Sequence, residues 1–229
     1  MKLKFSLILL LLLFVGQSLF AQQEDIPFGG WYTLSASKNL NDNGLSGNAS
    51  VLFRNWDVIG ELQQAVYGAG LAYKVENINL KIAGGYHHFD ISDRDDGNTI
   101  IGSENRTYIS LLAPHKFSER LSVDHRIMFE QRWLDNQDFR TRFRVMQNGK
   151  WALTEAEKTS TLILQNDIFL NGQQDIGNGN QVSFFDQNRT MLAVQKPVND
   201  WITVRIGARH HIFNNFNRQL VDGAIMLKF

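Results

Sequence analysis

What most constrains this chain is alternation. From Trp31 to the C-terminus, apolar and polar residues trade places at every second position in long runs, as in "LSVDHRIMFEQRWL" (121–134) and "WITVRIGARHHIF" (201–213). A period of two sends successive side chains to opposite faces of an extended strand. Eleven such runs can be read, at 31–40, 47–56, 62–75, 78–89, 106–117, 121–134, 139–151, 159–171, 185–198, 201–213 and 219–229. Soluble strands average about 5–6 residues, whereas a tilted strand needs about 9–11 to cross the hydrocarbon of a bilayer. Only "ALTEAEK" (152–158) has helical propensity, and it is too short to stand as a helix alone.

The connections between runs alternate in kind. One set is led by lysine and returns quickly to alternation: "KNLND", "KVENIN", "KFSERL" and "KPVNDW", with "KWALTEAEK" as a longer member. The other set is polar and variable: "SDRDDGNTIIGSEN", "LDNQD", "NGQQDIGNGNQVS" and "NNFNR". Short turns at one end and longer polar loops at the other are the pattern of a transmembrane β-barrel. A solenoid or propeller would require more similar repeats. The expectation is an all-β, closed antiparallel transmembrane β-barrel. Because bacterial single-chain barrels have an even number of strands, about 12 are expected, with "QEDIPFGG" supplying a short extra piece; 10 is the second choice.

The stretch "FEQRWLDNQDFRTRFRV" (129–145) decides which face is inside. Arg140, Arg142 and Arg144 recur at period two, with Thr141 and Phe143 between them, while Phe129 and Trp133 flank Glu130 and Arg132. The same division separates Ile202, Val204, Ile206 and Ile212 from Arg205, Arg209 and His211. Apolar faces with aromatic residues toward the strand ends suit lipid, which places the charges in the lumen. A bilayer also requires every strand edge to be paired, hence closure.

The chain begins "MKLKFSLILLLLLFVGQSLFA", a basic start, an apolar run and a small residue at Ala21. These are the three parts of a secretory signal peptide, and the run is short for a spanning helix of roughly 20 residues. The expected division is a cleaved leader at 1–21 and a single barrel domain at 22–229, exported to the bacterial outer membrane. The absence of cysteine excludes disulfides and thiolate metal sites. Basic and acidic residues balance at 23 each, which gives no support for nucleic-acid binding.

At "EQRW", "FRTRFR" and "FFDQNR" the chain resembles the domain-of-unknown-function 2490 family, from about Trp31 onward and most strongly from Arg126 to Arg189. The resemblance implies an outer-membrane barrel of the kind common in Bacteroidota and related Gram-negative bacteria. It implies no activity and no catalytic residue.

Projected inward, the phases collect Arg54, Arg106, Arg126, Arg132, Arg140, Arg142, Arg144, Arg189, Arg205 and Arg209, against Asp124, Glu130, Asp167 and Asp222, with Gln165 and Gln187 as neutral partners. Guanidinium and carboxylate form bidentate, charge-assisted hydrogen bonds, and small barrels fill their interiors with side chains. Two readings follow: a network that fills the lumen, or a narrow pore whose surplus of arginine prefers anions, with a small anionic solute as its partner. The rival class is a soluble periplasmic carrier of lipocalin type, with an apolar cavity. A membrane-embedded lipid-modifying enzyme ranks lower, because His88, His125 and His210 fall on the outward phase with no nucleophile motif such as G-x-S-x-G nearby. No catalysis, metal or cofactor is therefore expected. The adjacent pairs His87–His88 and His210–His211 point to opposite faces and cannot chelate as units. "DISDRDDGN" lacks the spacing of a calcium loop. Phe229 ends the alternating series Val221, Gly223, Ile225, Leu227 and resembles the terminal signal read by the barrel assembly machinery. Lipid and that machinery are thus the expected macromolecular partners, with oligomeric state left open.

Overall fold

The computed structural model describes residues 28–94, 99–135, 137–156 and 158–229. The expected leader and most of "QEDIPFGG" lie outside the described residues. Alternating sequence becomes strand throughout: β1 (Gly29–Asn39), β2 (Leu45–Asn55), β3 (Leu62–Val75), β4 (Leu80–Ser92), β5 (Ile100–Lys116), β6 (Leu121–Leu134), β7 (Arg140–Ala152), β8 (Thr161–Asn171), β9 (Phe185–Pro197), β10 (Ile202–Phe213) and β11 (Asn217–Lys228). Each strand pairs with its sequence neighbour, and β1 closes the barrel against β11.

The described strands number eleven rather than the expected twelve, and the seam explains how an odd count closes. In an up-and-down meander, an odd number leaves the first and last strands pointing the same way. β1 and β11 accordingly pair in parallel, from Gly29 opposite Leu220 to Ser37 opposite Lys228, while every other pair is antiparallel. A parallel ladder is slightly weaker per residue, but two open edges would leave rows of unpaired backbone groups. The entry to the seam needs glycine. A Cβ on Gly29 would stand 2.3 Å from Nη2 of Arg218, and one on Gly30 would stand 2.4 Å from the carbonyl oxygen of Val58.

The two ends of the barrel are built differently. At the short-turn end, single side-chain oxygens cap the reversing backbone: Asn41 Oδ1 accepts from the amides of Asn43 and Leu45, and Asn199 Oδ1 from those of Trp201 and Ile202. Such Asx-type turns reverse the chain in few residues. The other end carries the longer loops and three register shifts, at Arg54/Asn55, Ile91/Ser92 and Phe169/Leu170. The polar loop expected over 92–105 is shorter than the sequence suggested, because β5 extends up to Ile100. Asp135 Oδ2 accepts the Ser103 amide 2.6 Å away and ties that extension down.

Inside and outside are inverted relative to a soluble protein. Ile206 is 68% exposed while Arg209, on the opposite face of the same strand, is 8% exposed. Leu34, Tyr67, Ile109, Ile127, Phe143 and Leu192 continue the outward apolar belt. The belt is interrupted by polar groups on β8 and β9, where Asn166 donates to Asn188 and Thr190 at 3.0 Å each. These groups satisfy one another within the wall. Among the described residues, no helix is long and apolar enough to cross a membrane.

Candidate functional site

The antiparallel register of β6 and β7 sets Glu130 opposite Arg142 and Met128 opposite Arg144. Period-two spacing then brings three guanidiniums to one carboxylate. Glu130, 1% exposed, accepts from Arg142 Nε at 2.7 Å, Arg144 Nη1 at 3.1 Å and Arg106 Nη1 at 3.4 Å. Arg144 also pairs with Asp167, and Arg142 Nη1 reaches Asp186 at 2.8 Å. Two further carboxylates work the same way. Glu104 accepts from Arg106 Nη2 at 2.7 Å and Arg132 Nε at 2.5 Å. Asp222 accepts from Arg209 Nη2 at 2.6 Å and Arg205 Nη2 at 2.9 Å. At the centre, fully buried Phe169 lies under the guanidiniums of Arg142, Arg144 and Arg189, with the closest two at 4.3 Å. Ring faces attract cations, so Phe169 supports like charges that would otherwise repel.

The other inward arginines have no carboxylate at ion-pair distance among the described residues. Arg140 is held by the amide oxygens of Gln137 and Asn171, at 2.9 and 3.1 Å. Arg126 lies further toward the short turns, and its Nε has no acceptor. The remaining three, Arg54, Arg189 and Arg218, surround a cavity of about 180 Å³ at the long-loop mouth, together with Trp31, Trp56 and His211. Each rests on neutral groups. Arg54 donates to Gln64 at 2.5 Å, Arg189 to Gln187 at 3.0 Å, and Arg218 to Gln63 at 2.8 Å. Trp31 faces the guanidiniums of Arg54, Arg189 and Arg209 at 4.3, 5.0 and 4.9 Å. His211 meets the edge of Trp31 with centroids 4.6 Å apart.

Around this mouth the buried polar atoms without a protein partner are Nε of Arg54 and Arg218, Nε1 of Trp31 and Trp56, and Nε2 of His211. Four of these five are obligate donors, and the imidazole nitrogen donates in one tautomer. Buried donors ordinarily have acceptors. Among the described residues, the mouth therefore has more unpartnered buried donors than acceptors, and Arg54, Arg189 and Arg218 have no carboxylate at ion-pair distance.

The sequence-stated charges do not all meet. Glu130, Arg142, Arg144 and Asp167 converge, as do Arg205 and Arg209 on Asp222, whereas Asp124 pairs with Lys150 at 2.5 Å near the short turns. Among the participants absent from the sequence projection are Glu104, Asp186, Arg218 and Trp31. Glu104 and Arg218 fell just outside their runs, because β5 and β11 each begin earlier than the alternation suggested. Asp186 reaches inward through the register shift at Phe169/Leu170. Trp31 was the first residue of its run; Arg54 stands directly opposite it on β2, whereas Arg189 and Arg209 come from strands distant in sequence.

The outward histidines and the terminal aromatic have simpler surroundings. His88 Nε2 contacts Asp90 at 3.0 Å and Nδ1 contacts Asn105 at 2.9 Å, so both ring nitrogens are engaged. His87 stacks on Tyr108 at 5.0 Å, away from His88 as strand geometry demands. Among the described residues, no cluster of three or more His, Asp or Glu is placed to hold a metal. Phe229 donates its amide to Ser37 at 2.9 Å across the seam, and its ring meets Trp201 edge-on.

A sequence-family model described as "Protein of unknown function (DUF2490)" matches residues 28–222. Neither a curated protein nor a solved structure matches the chain.

Proposed function

Since the chain belongs to the DUF2490 family, whose description carries no activity, we propose a function from the lumen itself: an outer-membrane barrel, occluded at its centre, that holds an anionic solute at its long-loop mouth. Four features support the membrane setting. The outward face is apolar, the interior is charged, the sheet has no free edge, and strands of 11 to 17 residues are long enough to span. Lysine placement agrees with them. Lys38, Lys74, Lys81, Lys116, Lys150, Lys158, Lys196 and Lys228 all lie at the short-turn end, beside exposed Trp151 and Trp201. Flexible cations and aromatic rings are at home where hydrocarbon gives way to headgroups and water. A lipocalin-type carrier would need an apolar wall where this barrel has arginine and carboxylate. Carbonate washing of membranes is the direct check, and release of the protein into the wash would end the membrane reading.

One observation carries the anion reading: among the described residues, the buried unpartnered atoms around the mouth are mostly donors, and three of its guanidiniums have no carboxylate at ion-pair distance. Occlusion rests on the Glu130 cluster and Phe169, which fill the lumen below the mouth. A second reading, a narrow anion pore, draws on the succession of cations along the axis. Arg54 and Arg218 stand near one end, Arg142, Arg144 and Arg189 around Phe169, and inward-facing Lys81 and Lys150 near the other. Planar-bilayer recording separates the two. Occlusion predicts no anion-selective steps from the wild-type protein, and steady anion-selective conductance would replace it with the pore.

A further inference from the structure

We infer that the long-loop mouth is a site for a dianionic oxyanion, the terminal phosphate of a small soluble phosphomonoester. This rests on the reading that the mouth holds an anion, and it narrows that reading to one chemical class. The inference begins with how Arg54, Arg189 and Arg218 are held. Their side-chain partners, Gln64, Gln187 and Gln63, orient each guanidinium through a neutral amide oxygen, with no carboxylate at ion-pair distance among the described residues. Consecutive residues of a strand normally face opposite ways. Gln63 and Gln64 both serve the mouth because the register shifts there: Arg54 is opposite Gln64, while Asn55 is opposite Leu62. The irregularity places a second amide where a regular strand would put none.

The nearby cations are already spoken for. Arg106 and Arg132 belong to Glu104, and Arg142 to Glu130 and Asp186. Three guanidiniums with no carboxylate at ion-pair distance among the described residues line the cavity, so a single carboxylate would leave most of the charge uncompensated. Nη2 of Arg218 already donates to the carbonyl oxygens of Asn55 and Trp56 at 2.6 Å each. A phosphate monoester carries about −2 at neutral pH and three strong acceptor oxygens, which suits the donors of Arg54 and Arg189 together with Nε of Arg218. The cavity of about 180 Å³ equals roughly six waters' share of liquid volume. That accommodates one phosphoryl group and leaves the remainder of a larger ester outside, toward the loops. Trp56, facing Arg218 at 4.9 Å, lies at the side where such a remainder would emerge. The mouth opens among polar loops rather than onto the apolar belt, which favours a soluble ester over a bilayer lipid.

The test is isothermal titration of the full barrel in a nonionic detergent at low ionic strength, with inorganic phosphate, methyl phosphate, dimethyl phosphate and acetate as probes. Methyl phosphate is expected to bind at least about tenfold more tightly than dimethyl phosphate or acetate, a factor of the size carried by one charge-assisted hydrogen bond. Its affinity should rise between pH 5 and pH 8 as its second proton leaves near pH 6. Arg189→Gln and Arg54→Gln should each weaken methyl phosphate by about tenfold or more. Arg189→Lys keeps the charge but loses the fork, so it should retain part of the affinity. Lys81→Gln, at the opposite end, should leave it unchanged. Equal binding of acetate and methyl phosphate would overturn the dianion assignment while leaving an anion site in place. Preferential binding of dimethyl phosphate would point to phosphodiesters of lipid and likewise overturn it. If no probe binds a barrel that retains heat-modifiable migration, the assignment and the anion reading fall together.

Discussion

The arginines at the middle of the barrel and those at its long-loop mouth are the same side chain in two settings. In the middle, Arg142 and Arg144 share Glu130 and reach further carboxylates in Asp186 and Asp167. At the mouth, Arg54 and Arg189 are steadied by glutamine oxygens and the face of Trp31. The first arrangement cancels charge and is stiff; the second keeps charge and positions it. Burying a charge is costly unless it is paired and hydrogen-bonded. The middle meets that demand internally. The mouth meets it only partly, through ring faces and amides, and this separates a structural network from a candidate binding site.

Removing a carboxylate from the middle should produce the largest effect. Glu130→Gln leaves three guanidiniums facing one neutral amide, and one-sided breakage of a buried pair costs about 3–5 kcal/mol. Urea unfolding in detergent micelles measures it, and a loss below about 1 kcal/mol would mean that the middle is no better paired than the mouth. Next in size is the contrast between the two faces of β10. Ile206→Arg should cost about 2–4 kcal/mol in lipid because it sets a charge against hydrocarbon. Arg205→Gln, which Asp222 survives through Arg209, should cost less. Equal losses in lipid vesicles would undo the assignment of inside and outside.

Coupling comes third. The double variant Glu130→Gln with Arg142→Gln should recover part of the loss from Glu130→Gln alone, with an interaction of about 0.5–3 kcal/mol. Strict additivity would show that the two groups do not share a network. The smallest effect is expected at the mouth. Arg189→Gln gives up cation–ring contacts worth about 1–2 kcal/mol but removes a buried charge with no carboxylate at ion-pair distance among the described residues. Its net change in ligand-free stability should therefore stay within about 1 kcal/mol. A loss as large as that of Glu130→Gln would mean that the mouth is structural as well, and the contrast between the regions would disappear.

The meeting of Glu130 with Arg142 was legible in advance because β6 and β7 are sequence neighbours joined by a short loop. Adjacent strands pair, and a period of two states which side chains share a face. Glu104 and Arg218 were missed for a local reason. Beyond the apolar belt the alternation of a strand fades, although its hydrogen bonding continues. Asp186 was missed because a register shift in the ladder leaves no reliable mark in the alternating pattern. Of the partners of Trp31, only Arg54 was within reach of the sequence, because the two stand directly opposite on the sequence neighbours β1 and β2. Its other guanidinium neighbours come from β9 and β10, and they meet it only because the sheet curls shut.

By itself, the sequence determined the strands, the face that each turns inward and the sign of the charge enclosed, because all three follow from local alternation and composition. Closure decided the rest. Eleven strands force a parallel seam between β1 and β11, and that seam brings Trp31 beside Asp222 and His211. Which arginines find carboxylates and which are left at the mouth depends on register and on distances across the lumen. Those distances are set by a ring of strands acting together, whereas the alternating pattern records only what each strand does alone.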